Sequence, residues 1–425
     1  MKYWRGYLVA AVLGFFSWAL LDFAKNHTQL VDMFYPYSTR MIQGTLAQWS
    51  GGTDQLLWQL LIVLFVVVVL STVVLMIVLR WNPIQWLGWV LAVATLVLFL
   101  HTGLYGLNEY AGPLAKDIKL ESTDYTLAEL EAAAAYYRDQ ANELSTLVKR
   151  DSEGDVVFPE FQEMADMAGE GFQYMTYHEH QAVFYGAANA VDSERWSTWE
   201  THPVKELGWA DWFSSVGVTG IHVPLTGEIA VNTQIPAVAQ PFVISREMAR
   251  RLCIANDGDA EFAAYLACQA NPSLSFQYSA MLMAYRSCHD ALESLPGAQA
   301  AQALENVERL EGESMKNDLL QYEAFFIINR DDTRMERLEQ LTTLWDEICY
   351  QVRDLLGVES LNVETDSFHD LLVSWHIQEV VLPTQLPEEE ENPFDPYNED
   401  YVNGLVDLDG NPIEATDPTE ENTAE

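Results

Sequence analysis

The sequence predicts a mostly helical α+β protein: three N-terminal transmembrane helices, then a globular part outside the membrane with a small antiparallel sheet. Three observations lead there. Long apolar runs are confined to residues before 107. Alternating apolar and small or polar residues, broken by turn residues, occupy 214–232. Helical patterns dominate from about residue 238 to 380.

Residues 7–23 are apolar and follow Lys2 and Arg5, as in a signal peptide or an uncleaved anchor. No small-residue cleavage site follows, which favours the anchor. Residues 56–79 contain one strongly polar side chain, Gln59, and 84–100 follow after "RWNP". At 1.5 Å per residue such runs can cross about 30 Å of hydrocarbon. The first 107 residues therefore read as a three-helix membrane anchor. Lys2, Arg5 and Arg80 place the N-terminus and the short hairpin in the cytoplasm, and residues 24–55, read as a loop, outside. The larger part, 108–385, is then extracytoplasmic. Neither long run contains an ionisable residue apart from His101 at its end, so a proton or ion path is poorly supported.

Thr126 and Glu129 form a capping box for a helix running to about Arg150. "SSVGVTGIHVPL" and "TGEIAVN" supply the strands. Beyond Pro387 there are 14 Asp or Glu and no Lys or Arg, so 386–425 read as an acidic disordered tail. Charge is uneven along the whole chain. Residues 1–105 hold five basic and three acidic residues, leaving 17 basic and 60 acidic residues beyond them. Such a surface repels nucleic acid. Cys253, Cys268, Cys288 and Cys349 show no CxxC spacing, so they are either disulfide partners in an oxidising compartment or buried free thiols. Met281 and Met283 read as core.

The chemistry-bearing stretch is "FVISREMARRL", residues 242–252. A zinc peptidase of the HExxH type needs two histidines at i and i+4, because those positions share one helix face. A glutamate between them takes a proton from the metal-bound water, and a third ligand follows on another helix. Here the slots read Arg246, Glu247 and Arg250, and only the glutamate survives. Arginine has no free lone pair, so it cannot ligate. At 4 Å and an effective dielectric of about 20, one guanidinium facing a dication costs roughly 8 kcal/mol.

Four stretches together resemble a family of bacterial membrane proteins, domain-of-unknown-function family 3810. They are "GLYGLNEYAGPL", "TLAELEAAAAYYRDQANEL", "GVTGIHVPLTGEIAVN" and "PFVISREMARRLCIANDGDAEFAAYLAC". The resemblance implies a membrane-anchored, zincin-like, metallopeptidase-type protein. It places Arg246 and Arg250 at the family's zinc-binding histidines and Glu247 at the general base. Asp257 and Asp259 fall in the acidic run that supplies the third ligand, and Glu261 at a position usually Asn. Zinc is the family's expected cofactor and is not expected here.

Three functions stay open. The first is a non-catalytic pseudopeptidase that binds or scaffolds outside the membrane, possessing an envelope peptide or protein as partner. In it, Arg246 and Arg250 replace the cation by pairing with Asp257, Asp259, Glu228 or Glu261. The second is an active membrane metallopeptidase with relocated ligands among His178, His180, His202 and His222. The third is a structural envelope subunit. His369 reads as packing or surface.

Overall fold

A computed structural model describes residues 4–121, 124–178, 204–340, 343 and 367–382. The tail from 386, His180, His202, Cys349 and the side chain of His178 lie outside the described residues. Met1–His376 form one compact unit and Ile377–Glu425 a second.

Three helices are long and apolar enough to cross a membrane: α1 (Arg5–Asn26), α3 (Leu57–Val78) and α4 (Pro83–Leu104). Asn82 caps α4 by accepting from the Ile84 amide at 2.9 Å, and Pro83 supplies the fixed φ of a first helical residue. α1 packs along α4 at a glycine crossing, where a Cβ on Gly6 would overlap the Gly88 carbonyl. α3 stands apart from that pair. It buries only Trp58, and an apolar groove of about 520 Å³ separates it from α4.

Residues 24–55 are not a loop. Thr28–Ser50 form α2, a helix with Pro36 inside it. Its buried ridge, Val31, Thr39, Gln43, Ala47 and Ser50, follows the 3.6-residue period. The periodicity is masked in sequence because three of those five residues are polar, and because proline and glycine (Pro36 and Gly44) punctuate it.

After α4 come a short 3₁₀ turn, Gly106–Tyr110, and the four-residue α5 (Leu114–Asp117). The capping box then starts α6 (Leu127–Leu147): the Glu129 amide bonds Thr126 Oγ1 at 3.3 Å, and Glu129 Oε2 accepts from the Thr126 amide at 2.7 Å. α7 spans Phe161–His178 and α8 spans Ala210–Ser215.

The sheet has three strands in the order β1 (Val204–Glu206), β3 (Glu228–Val231), β2 (Gly220–Val223). It is mixed rather than antiparallel: β2 and β3 form the expected antiparallel pair, but β1 runs parallel to β3, with Lys205 opposite Ala230. Three residues carry too little alternation to announce a strand, and a parallel partner needs no adjoining turn signal.

α9 (Gln240–Arg251), α10 (Asp257–Ala270), α11 (Leu274–Ser294), α12 (Ala298–Glu308), α13 (Glu313–Asn329) and α14 (Phe368–Trp375) complete the first unit. α9 packs on the sheet with one face and on α10 and α11 with the others. Met281 and Met283 lie in this core, beside buried Tyr137, Phe262, Phe276 and Tyr285. Cys253, Cys268 and Cys288 are buried free thiols. Burial raises the Cys268 thiol to about 12, which keeps it protonated and inert.

Candidate functional site

Pro241 occupies the first turn of α9, where its missing N–H costs no hydrogen bond, and Ser279 Oγ accepts from the Phe242 amide at 3.3 Å. The helix ends at Arg251, and Cys253, two residues on, takes a left-handed φ of 68° that stops it. Between these points Arg246, Glu247 and Arg250 lie on adjoining rows of one helix. Glu247 is fully buried. Its Oε1 accepts from Arg246 Nε at 3.0 Å, from Arg246 Nη2 at 2.8 Å and from Arg250 Nη1 at 3.0 Å. Its Oε2 accepts from Arg250 Nη1 at 3.2 Å.

The arginines also reach outward. Arg246 Nη2 donates to Thr219 Oγ1 at 2.8 Å, and its Nη1 stands 3.7 Å from Glu261 Oε1. Arg250 Nη2 meets Asp257 Oδ1 at 2.6 Å. Asp257 is largely exposed, so that pair is screened and weak. Burial pulls the Arg250 guanidinium down, but Glu247 and then Asp257 outweigh it and hold it above its ordinary value. Burial raises the Glu261 carboxyl, with Arg246 opposing. Strand β2 lies directly on the carboxylate. A Cβ at Gly220 would come within 2.8 Å of Glu247 Cγ, so this close approach needs glycine.

The structure thus brings Arg246, Glu247, Arg250, Asp257 and Glu261 together. Asp259 sits on the same α10 turn as Asp257 and accepts from the Leu114 amide at 3.2 Å. Glu228 is elsewhere. Its Oε1 takes Lys205 Nζ at 2.7 Å and the Leu57 amide at 2.8 Å, and Oε2 takes the Trp58 amide at 2.9 Å. The sequence offered Glu228 as a partner for the arginines; both its oxygens are instead committed to the start of α3 and to β1.

His222 does not reach for Glu247 either. Its Nε2 is 3.2 Å from Gln43 Oε1 of α2, and its ring stands edge-on to Tyr105 at 5.2 Å. Burial, then Arg251 and Arg250, lowers it to about 3, so the imidazole stays neutral.

Next to Arg246 opens a cavity of about 370 Å³. Its lining mixes apolar side chains, among them Phe242, Val243, Met283 and Phe368, with the polar Arg246, Glu261, Arg286, Asp290 and Tyr322. Arg286 stacks on the Tyr322 ring at 4.9 Å and pairs with Asp290 at 3.2 Å, leaving a buried Nε with no hydrogen-bond partner. His369, read from sequence as packing or surface, also lines this cavity. Arg286 and Asp290 were not singled out in sequence. Their i, i+4 spacing was the available signal, and it is shared by many exposed helices.

Among the described residues, His289, Asp290 and Glu293 are one group with ligand atoms within 4.8 Å of one another. Hydrogen bonding to Asp290 raises His289 to about 9 against the pull of burial, with Glu308 adding to it at 3.0 Å. A histidine held protonated by two acids is not a ready ligand.

A catalytic zinc of the HExxH type requires neutral imidazoles at i and i+4 and an open coordination position. The i and i+4 slots here carry guanidinia, and the intervening carboxylate already accepts four hydrogen bonds from them. This donor set does not fit a zinc ion.

Arg251, the next residue along, is buried with Nε, Nη1 and Nη2 all lacking a hydrogen-bond partner. Burial alone lowers its guanidinium to about 10. An unpaired buried cation opposes folding. Arg251→Met keeps the aliphatic stem and removes the charge, and is expected to stabilise the protein by about 1–4 kcal/mol. Thermal unfolding in detergent checks this; a lower midpoint would show that the charge is satisfied.

The sequence profile of one family, described as "Protein of unknown function (DUF3810)", matches residues 31–340, and the chain belongs to that family. The match takes in most of α2, two of the three apolar helices and the whole arginine–carboxylate cluster. No curated protein and no solved structure matches the chain.

Proposed function

We propose that this protein is a membrane-anchored, zincin-like pseudopeptidase, which binds an envelope peptide or protein without hydrolysing it. Its N-terminus is cytoplasmic and the large domain lies on the outer side of the cell membrane, as the basic residues before α1 and after α3 favour. One observation carries the proposal: two arginine forks close on the single buried carboxylate Glu247. A general base needs a free lone pair near the water it activates. Glu247 has given its oxygens to Arg246 and Arg250, which occupy the metal's place with fixed positive charge. The neighbouring cavity, lined by both apolar and charged side chains, suits a peptide segment that carries a polar group.

A second reading keeps metal chemistry but moves it to His289, Asp290 and Glu293, because Asp290 also borders the cavity. Elemental analysis of the purified full-length protein separates the two. The wild type is expected to carry no stoichiometric zinc, while Arg246→His/Arg250→His acquires it. Stoichiometric zinc in the wild type that disappears in His289→Ala would replace the first reading with the second.

A further inference from the structure

We propose that α2 is an interfacial helix, its exposed face seated in the headgroup–acyl boundary of the membrane that α1, α3 and α4 cross. The corner at Trp209 and Trp212 rests on the same boundary. The inference depends on the membrane-spanning part of the reading above and not on the state of Glu247.

The orientation of α2 follows from its hydrogen bonds. Tyr35 Oη donates to the Thr102 carbonyl at 2.9 Å, and Gln43 Nε2 to the Leu104 carbonyl at 3.3 Å. The two donors are eight residues apart, about 12 Å along α2, whereas their acceptors are separated by about 3 Å along α4. A helix parallel to α4 would reach carbonyls equally far apart. α2 therefore crosses the end of α4 instead of running beside it. Its own ends join α1 and α3 through short connections, from Asn26 to Thr28 and from Ser50 to Leu57. Both ends are thus tied to the same side of the membrane.

The face left uncovered has the chemistry of a lipid boundary. Leu30, Met33, Phe34, Met41, Ile42 and Trp49 project from it, with Phe34 60% and Trp49 78% exposed. No Asp, Glu, Lys, Arg or His between them shares that face; Tyr37 does, with its half-exposed amphipathic ring. Asp32 is turned to Lys116 at 2.6 Å and to the Gly112 amide, and Arg40 donates to the Leu252 carbonyl at 2.6 Å. Ser38 and Thr45 do share it, but each returns its hydroxyl to its own helix, to Phe34 O at 2.9 Å and Met41 O at 2.8 Å. Gln48 adds one amide beside Trp49. An apolar face with satisfied hydroxyls and a tryptophan at one end matches an amphipathic helix lying in the interface.

A second contact lies at the start of α3. Gln59, in the first turn of that helix, donates to the Gly208 carbonyl at 2.9 Å, and Trp58 meets the Trp209 ring edge-on at 6.1 Å. Trp209 is therefore level with the first turn of a spanning segment. It is half exposed, with a left-handed φ of 55° that favours glycine. A large indole at a position suited to glycine is expected where the ring itself has a partner, and the bilayer interface is such a partner. The acidic charge of the residues beyond 105 selects against anionic headgroups, so the surface fits a zwitterionic lipid.

Site-directed spin labels test this in the full-length protein, reconstituted in phosphatidylcholine nanodiscs on a Cys349→Ser background. Labels replace Met33, Phe34, Met41 and Trp209, with Val67 of α3 as lipid control and Gln302 of α12 as water control. The ratio of oxygen to nickel-chelate accessibility is expected to be several-fold higher at the α2 and Trp209 positions than at Gln302. A water-like ratio there, with Val67 still lipid-like, would overturn this inference and leave the spanning helices intact. A water-like ratio at Val67 as well would overturn both. Immobile labels shielded from both reagents would mean that a protein, a partner or a second copy, covers the face instead of lipid.

Discussion

Glu228→Ala is expected to destabilise the protein by about 3–5 kcal/mol, the scale for breaking a buried ion pair from one side. The Glu228 side chain is wholly buried and Lys205 is 4% exposed. Two amides at the N-terminus of α3, Leu57 and Trp58, point at the same carboxylate. Those amides are the positive end of the helix dipole, so the glutamate neutralises an ammonium and a helix terminus together. Lys205 has two further acceptors, the carbonyls of Ser50 at 2.9 Å and Gln55 at 2.8 Å. Removing Glu228 leaves that ammonium facing uncapped amides with no anion nearby. The amides lose their acceptor whatever happens to the lysine. Lys205→Met in the same chain should recover part of the loss, because it removes the stranded charge but not the stranded amides. Thermal unfolding of the two single variants and the double variant in detergent measures that coupling. If Glu228→Ala lies within about 0.5 kcal/mol of wild type, as surface changes do, water already reaches the pair and α3 is not capped by it. The expected large value would mean that the sheet beside the arginine cluster is locked to one of the three helices long and apolar enough to cross a membrane.

This lock was not legible in the sequence. Glu228 and Leu57 are 171 residues apart, and Lys205 comes from a three-residue parallel strand with no local signature. The long apolar helices were legible because a continuous apolar run long enough to cross hydrocarbon is a local pattern. Residues 7–23, 56–79 and 84–100 became Arg5–Asn26, Leu57–Val78 and Pro83–Leu104. The capping box at Thr126 was legible for a similar reason, since both its bonds are made within four residues. α2 was hidden because its buried ridge carries polar residues: Thr39 and Gln43, which bond to partners distant in sequence, and Ser50, which returns its hydroxyl to the Ala47 carbonyl. The charge cluster was readable as far as helix spacing goes: positions 246, 247 and 250 must lie close, and an acidic helix follows. Arg286 and Tyr322 were not readable, because the cavity they line is made by α9, α11 and α13 meeting in space.

Glu247→Ala is expected to cost about 3 kcal/mol, at the lower end of the buried-pair range because each arginine keeps an outer partner. Arg246 retains Thr219 and Glu261, and Arg250 retains Asp257. The sign of the effect matters more than its size. An active-site base is held in an environment chosen for chemistry, and its removal commonly leaves stability unchanged or improves it. A carboxylate that serves as the counter-ion of two half-buried guanidinia behaves in the opposite way. Glu247→Gln should fall between, since the amide oxygen still accepts but the charge is gone. Replacing all three groups by apolar residues of similar size, Arg246→Met, Glu247→Leu and Arg250→Met, should recover the loss, because no charge is then left buried and unpaired. Unfolding midpoints of the single and triple variants in one detergent read this directly. A Glu247→Ala protein that melts higher than wild type would mean that Arg246 and Arg250 strain the carboxylate, and the cluster would have to be reconsidered as a site kept for reaction. A lower midpoint rescued by the triple variant would identify the cluster as an internal salt, closed where a metal-dependent enzyme must stay open.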